Sequence, residues 1–359
     1  MGTLRTLLAI AVVLVHSYGF VMVGGRNAVQ LFYMISGFLI SYVLVERKVY
    51  KDTISFYINR YLRLYPIYFV VAALSLFTYV FDSIIGKDMA FFFKVYRDAP
   101  IAANLLLVFS NATIFLQDWV MFAGVERNAL VFTSDFSKGE VILFPALIVP
   151  QAWTLGVELA FYLVAPFILA RRSVLLLLLA LSIALRVYLV YIGLGQRDPW
   201  SYRFFPTELA FFLLGALSHQ ILLPYYRKVL QQRGQIEIYA NIATYALIAI
   251  VLVYALILVA EAIKTAALFA VFLVLMPLTF MFQSKNRWDR WIGDLSYPIY
   301  ICHMVVILIV AMVLGRVGIT DKVIVSATAV VCSIGFSIAL NRYVGGPVES
   351  LRDRFRANA

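Results

Sequence analysis

Six ionisable side chains fall inside long apolar runs of this sequence: His16, Glu158, Arg186, Glu208, His219 and His303. An ionisable group in hydrocarbon is costly, so each is a candidate for function. His16 follows Arg5 by eleven residues, which on a helix puts it about 16 Å above Arg5. Glu158 lies six residues into a helix that enters from the opposite face, about 9 Å in. In a hydrocarbon layer about 30 Å thick, the two come within several ångströms of one depth. A neutral imidazole with a carboxylate at that depth can serve as a general base with an orienting partner. A histidine satisfied by a backbone carbonyl between helices accounts for His16 equally well on depth alone. His303 also falls near mid-depth. Beside Ser296, Tyr297 and Tyr300 it reads as an interhelical hydrogen-bonding residue. Arg186, Glu208 and His219 read as interface or cavity-rim groups.

A second set is basic. In the run Ile54-Ser-Phe-Tyr-Ile-Asn-Arg-Tyr-Leu-Arg-Leu-Tyr-Pro66, Arg60 and Arg63 are three residues apart and share a helix face. With Arg5 at the same level they form a candidate phosphate site, because guanidinium groups pair bidentately with phosphate. Lipid headgroup contact or simple anchoring of topology is the competing account. If the first account holds, phosphates rest at an inner mouth while a base waits halfway through the membrane. A cytoplasmic donor with a phosphorylated handle and a long thin arm, such as acyl-coenzyme A, suits that arrangement.

The elements that must position these groups are helices in a bilayer. Hydrophobic residues make up 63% of the 359-residue chain and charged residues 14%, more apolar than one soluble core can absorb. Ten runs are long enough to span, at about 5–23, 28–46, 62–82, 152–170, 172–193, 204–223, 238–260, 264–283, 294–314 and 321–343. A stretch at about 100–117, interrupted by Asn104, Ser110 and Asn111, reads as interfacial or re-entrant. The fold class is therefore an all-α membrane protein with about ten transmembrane helices. Lys and Arg concentrate around 47–63, 227–233, 285–290 and 342–356, which places both the N- and C-termini in the cytoplasm. The net charge of +11 follows from these loops, with no call for nucleic acid. Residues 1–359 read as a single membrane domain with an extracytoplasmic connection at about 83–151. Cys302 and Cys332 lie in apolar runs and suggest neither a disulfide framework nor a metal site.

Five segments then resemble the acyltransferase-3 family of integral membrane acyltransferases. Arg5 and His16 match its Arg, ten residues, His signature. Val29-Gln-Leu-Phe-Tyr-Met-Ile-Ser-Gly-Phe-Leu-Ile40 resembles its Phe-Phe-x-x-Ser-Gly-Phe-Leu-Ile segment, and Arg60 to Arg63 its Arg-x-x-Arg. Trp153-Thr-Leu-Gly-Val-Glu158-Leu-Ala-Phe-Tyr162 resembles Trp-Ser-Leu-x-x-Glu-x-x-Phe-Tyr. Leu295-Ser-Tyr-Pro-Ile-Tyr-Ile-Cys-His303 resembles the late Ser-Tyr-x-x-Tyr-x-x-His. Tyr33, Thr154 and Leu159 depart from the usual Phe, Ser and Glu or Gln, and no charged member is lost.

The resemblance implies a membrane O-acyltransferase. It would move an acyl group, usually acetyl, from cytoplasmic acyl-CoA (acetyl-CoA) to a hydroxyl of an extracytoplasmic or lipid-linked glycan. His16 would deprotonate the acceptor, with Glu158 holding or sharing that role. Arg5, Arg60 and Arg63 would bind the coenzyme's phosphates, with Ser36 near the thioester. Ser36, Trp153, Tyr162 and backbone amides are the candidate oxyanion donors. His303 remains a substrate-contacting or structural polar residue. The expected partners are acetyl-CoA, the glycan or oligosaccharide acceptor and membrane lipids, in a multi-pass inner membrane protein without a metal. Self-association stays open. The rival is a secondary transporter or lipid flippase, which would also carry ionisable residues at mid-membrane.

Overall fold

The computed structural model describes residues 1–17, 20–85, 90–233, 235–283 and 286–356. Its helices are α1 (Gly2–His16), α2 (Gly25–Ser41), α3 (Thr53–Ile85), α4 (Phe91–Asp98), α5 (Ile101–Thr113), α6 (Trp153–Ile168) and α7 (Arg172–Tyr191). They continue with α8 (Phe205–Leu217), α9 (Leu223–Arg233), α10 (Ile236–Val253), α11 (Glu261–Gln283), α12 (Arg287–Arg316), α13 (Lys322–Leu340) and α14 (Gly346–Asp353). Among the described residues nine helices are long and apolar enough to cross a membrane, and α1 and α5 are shorter apolar helices. The multi-pass helical architecture expected from hydropathy is thus present.

The first of the ten expected spans differs. The apolar run continues to about residue 23, but α1 stops at His16. Its last turn closes through Ser17 N–H to Val13 O at 2.9 Å, and Ser326 Oγ of α13 donates to Ser17 O at 2.8 Å. Tyr18 and Gly19, within the expected span, lie outside the described residues. The stretch expected to be interfacial is α5, thirteen residues long, about 20 Å at the helical rise and short of a hydrocarbon core.

Two compact units divide the chain. The first comprises Met1–Ile67, Ala165–Leu175 and Phe211–Ala359. Polar residues set its helix starts. Asn286 Oδ1 accepts from Trp288 N and Asp289 N, and Asp321 Oδ1 accepts from Val323 N and Ile324 N. Each satisfies amides that the first turn leaves open. α1 is capped from another helix: Asp289 Oδ2 accepts from Gly2 N at 2.7 Å, and Asp289 Oδ1 from Thr3 N and Thr3 Oγ1 at 2.8 Å. Among the described residues three π-helical turns, Tyr42–Glu46, Ser218–Leu222 and Asn341–Gly345, follow α2, α8 and α13.

The second unit comprises Tyr68–Val164 and Leu176–Ala210. Most of the expected 83–151 connection lies here, including α4, α5 and a two-stranded antiparallel hairpin. Strand β1 (Ala123–Glu126) pairs with β2 (Ala129–Phe132), with Ala123 opposite Phe132. Arg127 and Asn128 turn the hairpin with positive φ, as a tight two-residue loop requires. Asn111 ties α5 down: its Nδ2 donates to Ala146 O at 2.9 Å, and its Oδ1 accepts from Ile148 N at 2.8 Å. Of the polar residues that interrupt the apolar stretch, Asn111 thus ties it to the loop before α6, while Asn104 Nδ2 donates to Tyr96 O and Ala99 O at the end of α4.

Candidate active site

His16 is exposed at the C-terminal end of α1. Its Nδ1 lies 2.9 Å from Val12 O, one turn back on its own helix. A carbonyl oxygen only accepts, so Nδ1 carries the hydrogen and Nε2 keeps its lone pair. That is the tautomer a general base needs, held open at a helix end. The ring rests against His303 of α12, with ring centroids 5.0 Å apart and planes tilted by 50°. α12 spans 30 residues and His303 falls near its middle, so the two histidines share a level along the helix axis.

At the other end of the first unit, Arg60 is almost fully buried. Its Nη2 donates to Tyr50 OH at 2.5 Å and to Asn59 Oδ1 at 3.1 Å. Asn59 Nδ2 in turn donates to Arg352 O at 3.1 Å, and Tyr50 bridges to Arg356. The guanidinium of Arg352 experiences Arg63, Arg60 and Arg356 as neighbouring like charges. Glu349 pairs with both Arg352 and Arg356, and Asp353 with Arg356. Arg60 and Arg63 therefore stand together, and the cluster also draws on α14, whose arginines the sequence marks only as topology signals. Arg5 stands on the second turn of α1. Tyr50 also lines a cavity of 190 Å³, together with Leu44, Val45, Asp52, Thr53 and Leu169. Ser36 is half-buried on α2.

Glu158, Trp153 and Tyr162 lie on α6 in the second unit. Glu158 and Tyr162 are four apart, hence on one face, and Tyr162 OH donates to Glu158 Oε1 at 2.5 Å. Trp153 is buried, and Arg203 Cζ lies 4.2 Å above its ring, a cation–π contact. Arg203 is itself held by Asp198, with Nε to Oδ1 at 2.6 Å. Gly156 packs on Asp118, where a Cβ would lie 2.8 Å from Asp118 Oδ1.

Burial pushes the Asp118 carboxyl up to about 7, against about 3.9 for an unfolded aspartate. Between these values the folded chain keeps a proton that the unfolded chain has lost, so stability falls as pH rises. The thermal midpoint of the purified protein should therefore decline from about pH 4 to about pH 7. Asp118→Asn should remove that part of the slope and be the more stable form at the upper end. An equal slope in both proteins would refute this.

The three ionisable groups expected at interfaces or cavity rims each have a partner. Arg186 and Glu208 form an ion pair in the second unit. In the first unit His219 Nδ1 lies 2.9 Å from Ser41 Oγ and His219 Nε2 lies 3.0 Å from Glu46 Oε2. Arg227 Nη1 donates to Glu46 Oε1 at 2.9 Å. His219 and Glu46 both stand on π turns, which offset the usual helical register and leave no period in the sequence to announce their pairing. Among the described residues no group of three or more His, Cys, Asp or Glu side chains is placed to hold a metal.

A family model described as an acyltransferase domain matches residues 2–342. No curated protein and no solved structure matches the chain.

Proposed function

The chain belongs to the acyltransferase-3 family and is a multi-pass membrane acyltransferase, and from that premise we propose that it is an O-acetyltransferase of the bacterial inner membrane with both termini in the cytoplasm. The donor is cytoplasmic acetyl-coenzyme A, and the acceptor is a hydroxyl of an extracytoplasmic or lipid-linked glycan. The observation that supports this most directly is His16, exposed and with its Nδ1 engaged by Val12 O. A transporter or flippase, which the buried ionisable residues alone would also allow, does not follow from membership of an acyltransferase family.

In the proposed reaction the acceptor hydroxyl gives its proton to His16 Nε2 while its oxygen bonds to the thioester carbonyl carbon. The tetrahedral oxyanion collapses, the C–S bond breaks with its electron pair on sulfur, and the thiolate takes the proton back from His16. Glu158 is the proposed second acid–base group. Tyr162 commits its single hydroxyl hydrogen to Glu158, so it anchors that carboxylate, and Ser36 and Trp153 remain the proposed oxyanion donors.

The phosphates of the donor are proposed to meet Arg5, Arg60 and Arg63. The cavity beside Tyr50 supports this, since Tyr50 is both its wall and the partner of Arg60. Coenzyme A should raise the thermal midpoint of the detergent-solubilised protein by ligand linkage, whereas pantetheine, which lacks the phosphates, should not. Arg63→Ala should weaken coenzyme A binding by about ten-fold or more, the loss of one charge-assisted contact. Arg60→Ala should weaken it further, at some cost in stability from its buried bonds. Unchanged affinity in both variants would return these arginines to anchoring the topology.

A further inference from the structure

We propose that His303 is the proton-sharing partner of His16, so that the base of the transfer is a pair of imidazoles. This rests on His16 being the base. Both rings are fixed at the same atom, each by a carbonyl of its own helix: His16 Nδ1 by Val12 O at 2.9 Å and His303 Nδ1 by Tyr300 O at 2.6 Å. Each Nδ1 must therefore be the protonated nitrogen, and each ring presents a lone pair at Nε2.

The two lone pairs differ in circumstance. His16 is exposed, whereas His303 is 0% exposed. His303 Nε2 is buried with no hydrogen-bond partner among the described residues. A buried acceptor without a donor is a standing cost to the fold. A hydrocarbon ring of the same size would avoid it, so packing alone does not explain a histidine here. A donor appears at one stage of the reaction. When His16 has taken the acceptor's proton, its Nε2 carries a hydrogen as well as its Nδ1. Two imidazoles joined by one N–H···N bond have nitrogens about 2.9 Å apart and ring centres about 5 Å apart. The observed separation is 5.0 Å. The planes are tilted by 50°, and His16, at the end of α1, has the torsional freedom to adjust.

The sequence of events follows. The acceptor oxygen bonds to the thioester carbon as its proton moves to His16 Nε2. That hydrogen is then shared with His303 Nε2 until the C–S bond breaks and the thiolate carries it away. His303 touches neither the acceptor nor the thioester; it acts through His16, as a positioning residue that makes it a stronger base. The other titratable groups at the pair are Tyr300, with its ring centre 5.7 Å from that of His303, and Cys302, whose thiol points to Ser333 O of α13.

The test compares His303→Phe, which keeps a ring and loses the acceptor, with His303→Gln, which restores an acceptor oxygen. His303→Phe should lower kcat by about ten-fold or more with KM for acetyl-coenzyme A unchanged. The acid limb of its rate profile should move to lower pH, because the protonated form of His16 has lost its partner. His303→Gln should recover part of both. A purely structural histidine predicts the opposite order, with Phe tolerated and Gln damaging, and that order would overturn the proposal. A measurement on the unaltered protein needs no variant. In 15N spectra of histidine-labelled protein, the His303 Nε2 resonance should shift over the pH range in which His16 titrates. A His303 signal indifferent to that titration overturns the pairing whatever the activity shows. Full transfer by His16→Ala would instead remove the base assignment and leave the spectroscopic pairing to be judged alone.

Discussion

Replacing His16 by alanine should lower acyl transfer by about 10²- to 10⁴-fold, the usual contribution of a positioned general base, and leave the fold intact. The second half of that expectation is what gives the experiment its force. His16 is exposed, and among the described residues its one hydrogen bond runs to Val12 of its own helix. The position of α1 depends on other residues: Asp289 at its first turn, Thr6 Oγ1 donating to Ile292 O at 2.6 Å, and Ser326 at its end. The thermal midpoint and its rise with coenzyme A should therefore be close to those of the parent. Transfer is read as label passing from acetyl-coenzyme A to glycan in membranes or proteoliposomes. A variant that still transfers at the parental rate would remove His16 from the chemistry, and a variant that fails to fold would show that α1 is held less firmly than its contacts indicate.

The long helices were legible in the sequence because hydropathy reports burial in a bilayer directly, and among the described residues nine of the expected spans have helical counterparts long enough to cross. The end of α1 was not, because it depends on Ser326, some three hundred residues away. The same gap explains the partner of His16. Counting residues along helices placed His16 and His303 at similar depth, and their rings do lie side by side. Depth is one coordinate, however, and which helix lies beside α1 is another. That second coordinate is set by tertiary contacts such as Gly2 against Asp289 and Gly293. The arginine mouth shows a related limit. Arg60 and Arg63 declared themselves by their three-residue spacing, whereas Arg352 and Arg356 reach them only because α14 folds back along the N-terminal part of α3 through Asn59 and Tyr50. His219 was legible as a buried ionisable residue, but its partners Ser41 and Glu46 were not, since a π turn intervenes on each side.

The largest loss of stability is expected at the crossing of α2 with the C-terminal part of α8. A Cβ on Gly37 would lie 2.6 Å from the Phe212 carbonyl carbon and 2.7 Å from Phe212 Cα, and closer still to the carbonyl oxygen. A Cβ on Gly215 would lie 2.8 Å from the Met34 carbonyl carbon and 2.9 Å from Phe38 N. Each glycine thus receives the backbone of the other helix, the close approach that small residues permit between membrane helices. A side chain at either place meets backbone, which cannot swing aside, so the helices must part. Parting them also loosens the stacking of Tyr33 on Phe212, at 4.6 Å between ring centres, and the edge contact of Phe38 with His219 at 5.4 Å. Overpacking of this kind costs about 1–3 kcal/mol where side chains can yield and more where they cannot. Gly37→Leu and Gly215→Val should therefore each lower the thermal midpoint by about 10 °C or leave little folded protein after solubilisation. Gly335 of α13 is the control, since a Cβ there meets nothing within 4 Å. Gly335→Ala should be neutral or slightly stabilising, as alanine is in a helix. The argument also locates the damage: Ser36 precedes Gly37, so the helix that carries a proposed oxyanion donor is the one displaced. A milder Gly37→Ala variant that still folds should lose transfer before it loses coenzyme A binding. If Gly37→Leu, Gly215→Val and Gly335→Ala proved equally stable, the crossing would not be as close as the backbone geometry requires.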